Sequence, residues 1–213
     1  NVNLGWTGSG SESVLGGCVN PTTGANYASG WSSTGSAYVP HISRTPGAPS
    51  GTWTEATLTG FTSGSLLAIA SDGTYVVAVG GSTYNSSSAD GKVVWSNNDG
   101  TSWNITTLSG SGDLRGITHD GSGKWCAVGT SGIIYTSTNP SSGTWTSRTS
   151  GTSNNLWNVA HDTSAGEFLA VGENKTLLSS SNGTTWSAET VPSGPGSGAT
   201  LAGIAANTFV QVT

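Results

Sequence analysis

Aspartates recur at one position of this 213-residue chain, and paired carboxylates are the groups that hydrolyse glycosidic bonds. Asp72, Asp120 and Asp162 each follow a strand-like run and precede Gly or Thr. Glycosidases hold two carboxyl groups about 5–10 Å apart. An aspartate at this kind of position instead accepts hydrogen bonds from the backbone of a tight turn. We therefore interpret the three aspartates as turn residues, and the sequence identifies no catalytic residue.

Two histidines lie one residue before two of these aspartates. His119 and His161 occupy the same position of a repeat, so a metal pair is one interpretation. The matching positions in the other repeats hold Asn20, Ser71 and Ala206, which supply no third histidine. We expect both histidines to pack against strands or cap them, and we predict no metal and no cofactor.

The two cysteines, Cys18 and Cys126, fall in different repeats. We expect two separate buried thiols, and a disulfide between repeats is the alternative. Two cysteines cannot form a zinc site by themselves.

A recurring turn marks the strands that would position these groups. Residues 96–103 read SNNDGTSW between two β-rich runs, and Asn-Asp-Gly in that setting predicts a hairpin. We expect Ser96, Asn98 and Gly100 to shape the turn through its backbone, and Trp103 to plug the hairpin.

Three further stretches resemble this hairpin and end in tryptophan. They close at Trp53, Trp145 and Trp186, and the last of them carries Ser179 and Gly183 at the positions of Ser96 and Gly100, with Ser181 in place of Asn98. The four closing tryptophans are separated by 50, 42 and 41 residues. A period of about 40–45 residues made of strand-like pieces is typical of a β-propeller blade.

Alignment of the repeats predicts an all-β fold, a propeller of about five four-stranded blades that forms one domain over residues 1–213. The blades are expected at about 11–58, 62–108, 112–150 and 154–190, with a fifth at 198–213 completed by 1–9. In the fifth blade, 201–205 and 209–213 match the first two strands, and Trp6 supplies the outer-strand tryptophan. A fragment of a larger propeller is the alternative.

The spacing Ser-x-Asn-x-Gly-x-x-Trp at 96–103 resembles the Asp-box, the hairpin of the sialidase-like propellers with BNR repeats, with Asn98 in the aspartate position. The resemblance extends over nearly the whole chain and implies the propeller fold. It implies little about function, because this hairpin is peripheral in that family. The sialidase-like enzymes use an arginine triad, and of Arg44, Arg115 and Arg148 only Arg115 lies on an expected inner strand. The chain is therefore identified as a non-catalytic member.

Two places are candidates for ligand binding. Arg115 and Trp157 share a position near the start of the inner strand, where they would either form a sugar-stacking surface or plug the central channel. The second place is the insertion at 81–91, where Tyr84, Asn85 and Asp90 could contact a glycan or a neighbouring subunit. A plain surface loop is the alternative there.

Composition limits the class of function. The chain has only six basic residues and a net charge of −5, which disfavours nucleic acid as a partner. It contains no run of about 18 apolar residues, so no membrane insertion is expected. We expect a non-catalytic surface module of a bacteriophage virion (capsid decoration or tail) or an adhesin, outside the cell, whose partners are other virion or surface proteins, or glycans. A secreted lectin and a glycoside hydrolase fragment are the alternatives.

Overall fold

The computed structural model describes residues 4, 6, 11–83, 89–191 and 198–205. In these residues the chain forms four antiparallel sheets of four strands each, and it has the all-β architecture of a β-propeller or of part of one. The only helical segments there are three single 3₁₀ turns, at Thr130–Gly132, Pro140–Ser142 and Glu173–Lys175.

Each blade is an antiparallel meander, and the first strands of neighbouring blades contact one another on the inner side. Blade 1 contains β1 (Glu12–Val19), β2 (Asn26–Ser33), β3 (Tyr38–Thr45) and β4 (Thr54–Glu55). Blade 2 contains β5 (Ser65–Ser71), β6 (Val76–Gly81), β7 (Gly91–Ser96) and β8 (Asn104–Leu108). Blade 3 contains β9 (Leu114–His119), β10 (Trp125–Gly129), β11 (Ile134–Ser137) and β12 (Thr146–Arg148). Blade 4 contains β13 (Leu156–Asp162), β14 (Glu167–Gly172), β15 (Leu177–Ser180) and β16 (Ser187–Ala188).

The second strand of every blade contains the pattern Ala-x-Gly, and the glycine is a steric requirement. A Cβ added to Gly80 would lie 1.8 Å from the carbonyl oxygen of Ser65, and one added to Gly129 would lie 2.0 Å from that of Asp113. The same contact occurs at Gly30 and Gly172. The innermost strand therefore crosses so close to the second strand that only glycine fits.

This close crossing coincides with a β-bulge in every inner strand. One residue of each inner strand has no partner in the pairing register, and these residues are Leu15, Leu67, Arg115 and Trp157. Bulges increase the local twist and re-aim a side chain. The position that Arg115 and Trp157 share in the sequence is thus a bulge common to all four blades.

The core lies between blades. Tyr27 and Ile42 of blade 1 pack with Val76, Val94 and the edge of Trp103 from blade 2. Equivalent clusters join blades 2 and 3, and blades 3 and 4. Because side chains alternate along a strand, blades 2 and 3 bury both faces of their central strands, one against each neighbouring blade.

In blades 2, 3 and 4, the hairpins between the third and fourth strands are held by a serine and an asparagine. Ser96 Oγ accepts from the backbone N–H groups of Asn98 and Gly100, and Asn98 Oδ1 accepts from the N–H of Ser102 at 3.0 Å. Ser137 and Asn139 make equivalent contacts in blade 3. Ser96 and Asn98 thus make backbone contacts of the kind expected of turn residues.

The fourth hairpin differs from its sequence alignment. Its capping hydroxyl belongs to Ser180, which accepts from the N–H of Gly183 at 2.9 Å, and its amide acceptor is Asn182. The predicted Ser179 instead donates to Glu189 at 2.6 Å. The alignment on Trp186 was wrong by one residue at this end, because this hairpin is one residue shorter than that of blade 2.

The N-terminal tryptophan lies on the face of blade 1 that points away from blade 2. Trp6 Nε1 donates to Ser43 Oγ at 2.7 Å, and its ring stacks on His41 at 4.8 Å. On the inner part of the same blade, Val14 and Val19 expose 54% and 53% of their surface. Blade 1 therefore has one free face that is covered only at its outer half in the described residues.

The expected fifth blade is described only in part. Residues 201–205 are not in a strand, in contrast to the prediction, although Leu201 N–H donates to the carbonyl of Gly172 and Lys175 N–H to that of Ala199. Residues 209–213 lie outside the described residues. The closure of the ring by both ends of the chain stays a prediction.

Candidate functional site

The recurrent aspartates are turn residues, as the sequence indicates. Asp72 Oδ1 accepts from the N–H of Thr74 and Tyr75, Asp120 Oδ1 from Ser122 and Lys124, and Asp162 Oδ1 from Ser164 and Ala165. Hydrogen bonds from Ser164 and Ala165 hold the pKa of Asp162 below its ordinary value. All three carboxylates thus accept hydrogen bonds from the backbone of their own blade.

The two histidines also serve the architecture. His119 accepts from the N–H of Gly121 at 3.1 Å and packs on Trp125, and His161 packs on Phe168 at 4.6 Å. Among the described residues, no three His, Cys, Asp or Glu side chains are close enough to hold a metal ion. Cys18 and Cys126 are both free thiols, and burial raises the pKa of Cys18 to about 12.

Arg115 and Trp157 are brought together by their two bulges. The guanidinium carbon of Arg115 lies 3.9 Å from the centroid of the Trp157 ring, a cation–π contact between blades 3 and 4. Arg115 is only 7% exposed, whereas Trp157 is half-buried. A ligand could therefore contact the partly exposed ring of Trp157. The guanidinium of Arg115 is largely buried against that ring.

The predicted insertion is described only at its ends. Tyr84 and Asn85 lie outside the described residues. Asp90 Oδ1 accepts from the N–H of Gly110 at 2.8 Å, and Asp90 N–H donates to Ser82 Oγ at 3.0 Å. The Asp90 carboxylate therefore fastens the base of the insertion to the exit of β8.

A polar cluster at the rim joins blades 1 and 2, and sequence reasoning did not find it. Asp99 in the second-blade hairpin accepts from Tyr27 Oη at 2.7 Å, from Asn20 at 3.0 Å and from Thr23 at 2.9 Å. Its other carboxylate oxygen accepts from Arg44 in an ion pair. We call these five residues the Asp99 clamp.

The clamp sets the charge state of its members. Partial burial alone would raise the pKa of Asp99, but the hydrogen bonds from Tyr27, Arg44 and Thr23 outweigh it and lower that pKa below 3.8. Burial and the neighbouring carboxylate raise the pKa of Tyr27 above its ordinary range. The carboxylate is thus ionised and the phenol neutral at physiological pH.

Arg44 and Asp99 of the clamp line a groove in the described part of the chain. This groove, of about 620 Å³, lies between the outer strand of blade 1 and the hairpin of blade 2. Thr54, Glu55 and Thr57 line one wall, and Gly100 and Trp103 line the other. Its volume falls within the range of about 300–1,000 Å³ that is usual for ligand sites.

Blade 1 also contains a serine–histidine–glutamate series on its free face. Ser32 Oγ lies 2.7 Å from His41 Nε2, and His41 Nδ1 contacts Glu55. This order of contacts is that of a hydrolytic triad. However, Ser32 is 1% exposed, it pairs with strands on both sides, and Trp6 stacks over the imidazole. Ser32 and His41 are therefore buried inside the blade, and only Glu55 is partly exposed.

Comparisons with known proteins identify the fold. The chain is similar to a chain of the nidogen/laminin complex (15% identity, TM-score 0.56), of which it spans 62% with 81% of its own length. It is similar to Sqt1 from Chaetomium thermophilum (12% identity, TM-score 0.52), with 80% of this chain and 44% of that chain covered. YCF48 bound to D1 peptide matches at 15% identity and TM-score 0.50, over 84% of this chain and 67% of that one.

No family model matches the chain, and no curated protein matches it significantly. None of the helical segments described has the length and apolar character needed to cross a membrane.

Proposed function

We propose that the chain is a non-catalytic binding module, a β-propeller displayed on a virion or other extracellular surface that holds a protein partner there. The observation that carries this proposal is the groove of about 620 Å³ between blades 1 and 2. Its walls are fixed by the Asp99 clamp before any ligand arrives, and rigid walls lower the entropic cost of binding. The composition, rich in glycine and poor in charge, supports a phage structural protein or an adhesin.

The absence of catalysis is part of the same proposal. The side chains best suited to hydrolysis, Ser32, His41 and Glu55, are used to tie three strands of blade 1 together. The recurrent aspartates are used in turns. We therefore expect no turnover of polysaccharide substrates by the purified chain.

A lectin is the second candidate, and the half-exposed ring of Trp157 favours it. Aromatic rings stack on the apolar faces of sugars, and Arg115 fixes the orientation of this ring. Trp157→Ala would then abolish glycan binding and leave protein binding unchanged.

The experiment is a parallel screen of the labelled full chain against a glycan array and a displayed random-peptide library. The proposal predicts enriched peptides that bind the chain in solution. Glycan signals that vanish in Trp157→Ala would favour the lectin instead. Binders in neither screen would overturn both candidates.

A further inference from the structure

A small pocket on the outer strands of blade 3 is lined by two cations and by no carboxylate. Its volume is about 170 Å³, and its lining consists of Lys124, Arg148, one serine and four threonines. The chain has only six basic residues, so a third of them face this one pocket. A volume of this size corresponds to about six water molecules, which is enough for one small charged group.

The strand register places the pocket on the face of blade 3 that packs against blade 4. Thr136 lies opposite Cys126 in the pairing of β10 with β11, and Arg148 lies opposite Ile134 in the pairing of β11 with β12. Cys126 and Ile134 both belong to the apolar cluster shared with blade 4. Directly opposite residues share one face of a sheet, so Thr136 and Arg148 also point towards blade 4.

Neither cation is paired with a carboxylate. Lys124 Nζ donates to the carbonyl oxygen of Asn182 in the hairpin of blade 4, and Arg148 Nε donates to Thr136 Oγ1 at 2.8 Å. Both acceptors are neutral, and the ammonium and the guanidinium have further N–H donors. All eleven acidic residues lie in the described part of the chain, and none forms an ion pair with Lys124 or Arg148. Asp120 accepts from the backbone N–H of Lys124 and lines a different groove.

The groups around the pocket are suited to an acceptor. Thr136 is only 3% exposed and its oxygen accepts from Arg148, so its hydroxyl proton is left to donate. Burial raises the pKa of the Cys126 thiol, and the charges of Arg148 and Lys124 both act against this rise. The two positive charges therefore act on the same part of the blade, where they repel each other and favour an anion.

The corresponding interface between blades 1 and 2 contains its own anion. Arg44 of blade 1 pairs with Asp99, the residue that precedes Gly100 in the hairpin of blade 2. In the hairpin of blade 4 the residue that precedes Gly183 is Asn182, whose side chain is neutral. The neighbouring hairpin thus supplies a carboxylate at the first interface and none at the third.

We propose that this pocket of blade 3 binds one oxyanion, held by Lys124, Arg148 and Thr136. An oxyanion has only acceptors, and its hydrogen bonds to charged donors are short and strong. The site is separate from the groove between blades 1 and 2, so it goes beyond the proposed function and does not depend on it. The oxyanion is either free phosphate or sulfate, or the carboxylate of an acidic side chain on a protein partner.

The test titrates the full chain with sodium phosphate and, separately, with a blocked tripeptide that has glutamate between two threonines. Ionic strength is held constant, and amide chemical shifts are followed by NMR. We expect saturable shifts at Lys124, Thr136 and residues 144–148. Tighter binding of phosphate would identify a free anion as the source, and tighter binding of the peptide a partner's carboxylate. No saturable shift at these amides in either titration would overturn the proposal.

Two variants test the charges of the pocket. Asn182→Asp adds a carboxylate beside Lys124 and keeps the Oδ1 acceptor that holds the N–H groups of Thr184 and Thr185. This internal anion should weaken binding of the added anion about tenfold. Arg148→Gln removes one of the two cations and should weaken binding by a similar factor. Parent-like binding by both variants would contradict the site.

The matched control is Lys92→Gln, because it lowers the net charge by one, as the other two variants do. Lys92 lies on β7 of blade 2, where its Nζ donates to Thr107, and it does not line the pocket. We expect this variant to bind within about twofold of the parent. Equal weakening by Lys92→Gln and Arg148→Gln would show that the overall charge attracts the anion, and would overturn the pocket as its site.

Discussion

Tyr27 of blade 1 donates its phenol proton to Asp99 of blade 2 at 2.7 Å, across 72 residues of sequence. Asp99 stands at φ 54°, a conformation that asparagine also tolerates. The contact between the two blades at the rim thus depends on a carboxylate. Asparagine at this position would remove the charge and keep the backbone conformation.

Asp99→Asn should destabilise the chain by about 1–2 kcal/mol at neutral pH, because the bonds that Tyr27 and Arg44 make to a charged acceptor are lost. The pKa of Asp99 is lowered in the folded protein, so its contribution is complete above the ordinary pKa of 3.8 and disappears as pH falls through the lower folded-state pKa. The difference between parent and variant in urea unfolding should therefore shrink below about pH 4.

The control is Asp120→Asn, since Asp120 lies in a turn inside one blade and its amide would still accept from Ser122 and Lys124. It should unfold close to the parent at pH 7. A constant difference between parent and Asp99→Asn from pH 7 to pH 3 would contradict the role of the clamp.

The closing tryptophans should differ in their contribution to stability. Trp186 is 9% exposed, packs on Phe168 at 6.4 Å and donates to the carbonyl of Gly183. Trp53 is half-exposed, and its Nε1 donates to Pro49 in its own turn. We expect Trp186→Ala to cost about 3–5 kcal/mol and Trp53→Ala distinctly less. Equal losses in denaturant melts would show that the free face of blade 1 is covered as fully as the blade interfaces.

The repeat and the hairpins could be predicted from the sequence because both are local. Asn98 and Gly100 are read from spacing alone, and the turn they predict is present. The fourth hairpin was misaligned because Trp186 is conspicuous in the sequence, whereas the strand pairing of Phe168 with Ser180 is not. At this hairpin the local pattern therefore predicted the turn but placed its capping serine one residue too early.

The Asp99 clamp could not be found in the same way. Arg44 and Asp99 lie 55 residues apart, in hairpins of different length, and they meet only because blade 1 packs on blade 2. Only the shared repeat position of Leu67, Arg115 and Trp157 indicated the bulges in the sequence. A shared position does not show in which direction a side chain points. Contacts between blades depend on the angle at which neighbouring blades pack, and the repeat in the sequence does not determine that angle.

Gly129→Ala should be strongly destabilising. The added Cβ would lie 2.0 Å from the carbonyl oxygen of Asp113, so the inner strand of blade 3 must move away from β10. We expect a loss of about 3 kcal/mol or more, the upper range for overpacking. Gly47→Ala is the control, since nothing lies within 4 Å of its added Cβ. A melting temperature for Gly129→Ala within about 2 °C of that control would refute the close crossing of the two strands.

The series Ser32–His41–Glu55 should be catalytically inert, because its serine and histidine are buried. In a hydrolase the serine must reach substrate, and backbone N–H groups beside it must be free to stabilise the oxyanion. Ser32 is 1% exposed, and the strand pairs with β1 and β3 occupy the backbone around it. We therefore expect no labelling of Ser32 by a fluorophosphonate probe, and ester hydrolysis by His41→Phe equal to that of the parent. The same variant should lose about 1–3 kcal/mol of stability, because Ser32 and Glu55 lose their shared partner inside the blade. Labelling of Ser32 in the folded chain would show instead that Trp6 opens over His41, and that the series is an active site.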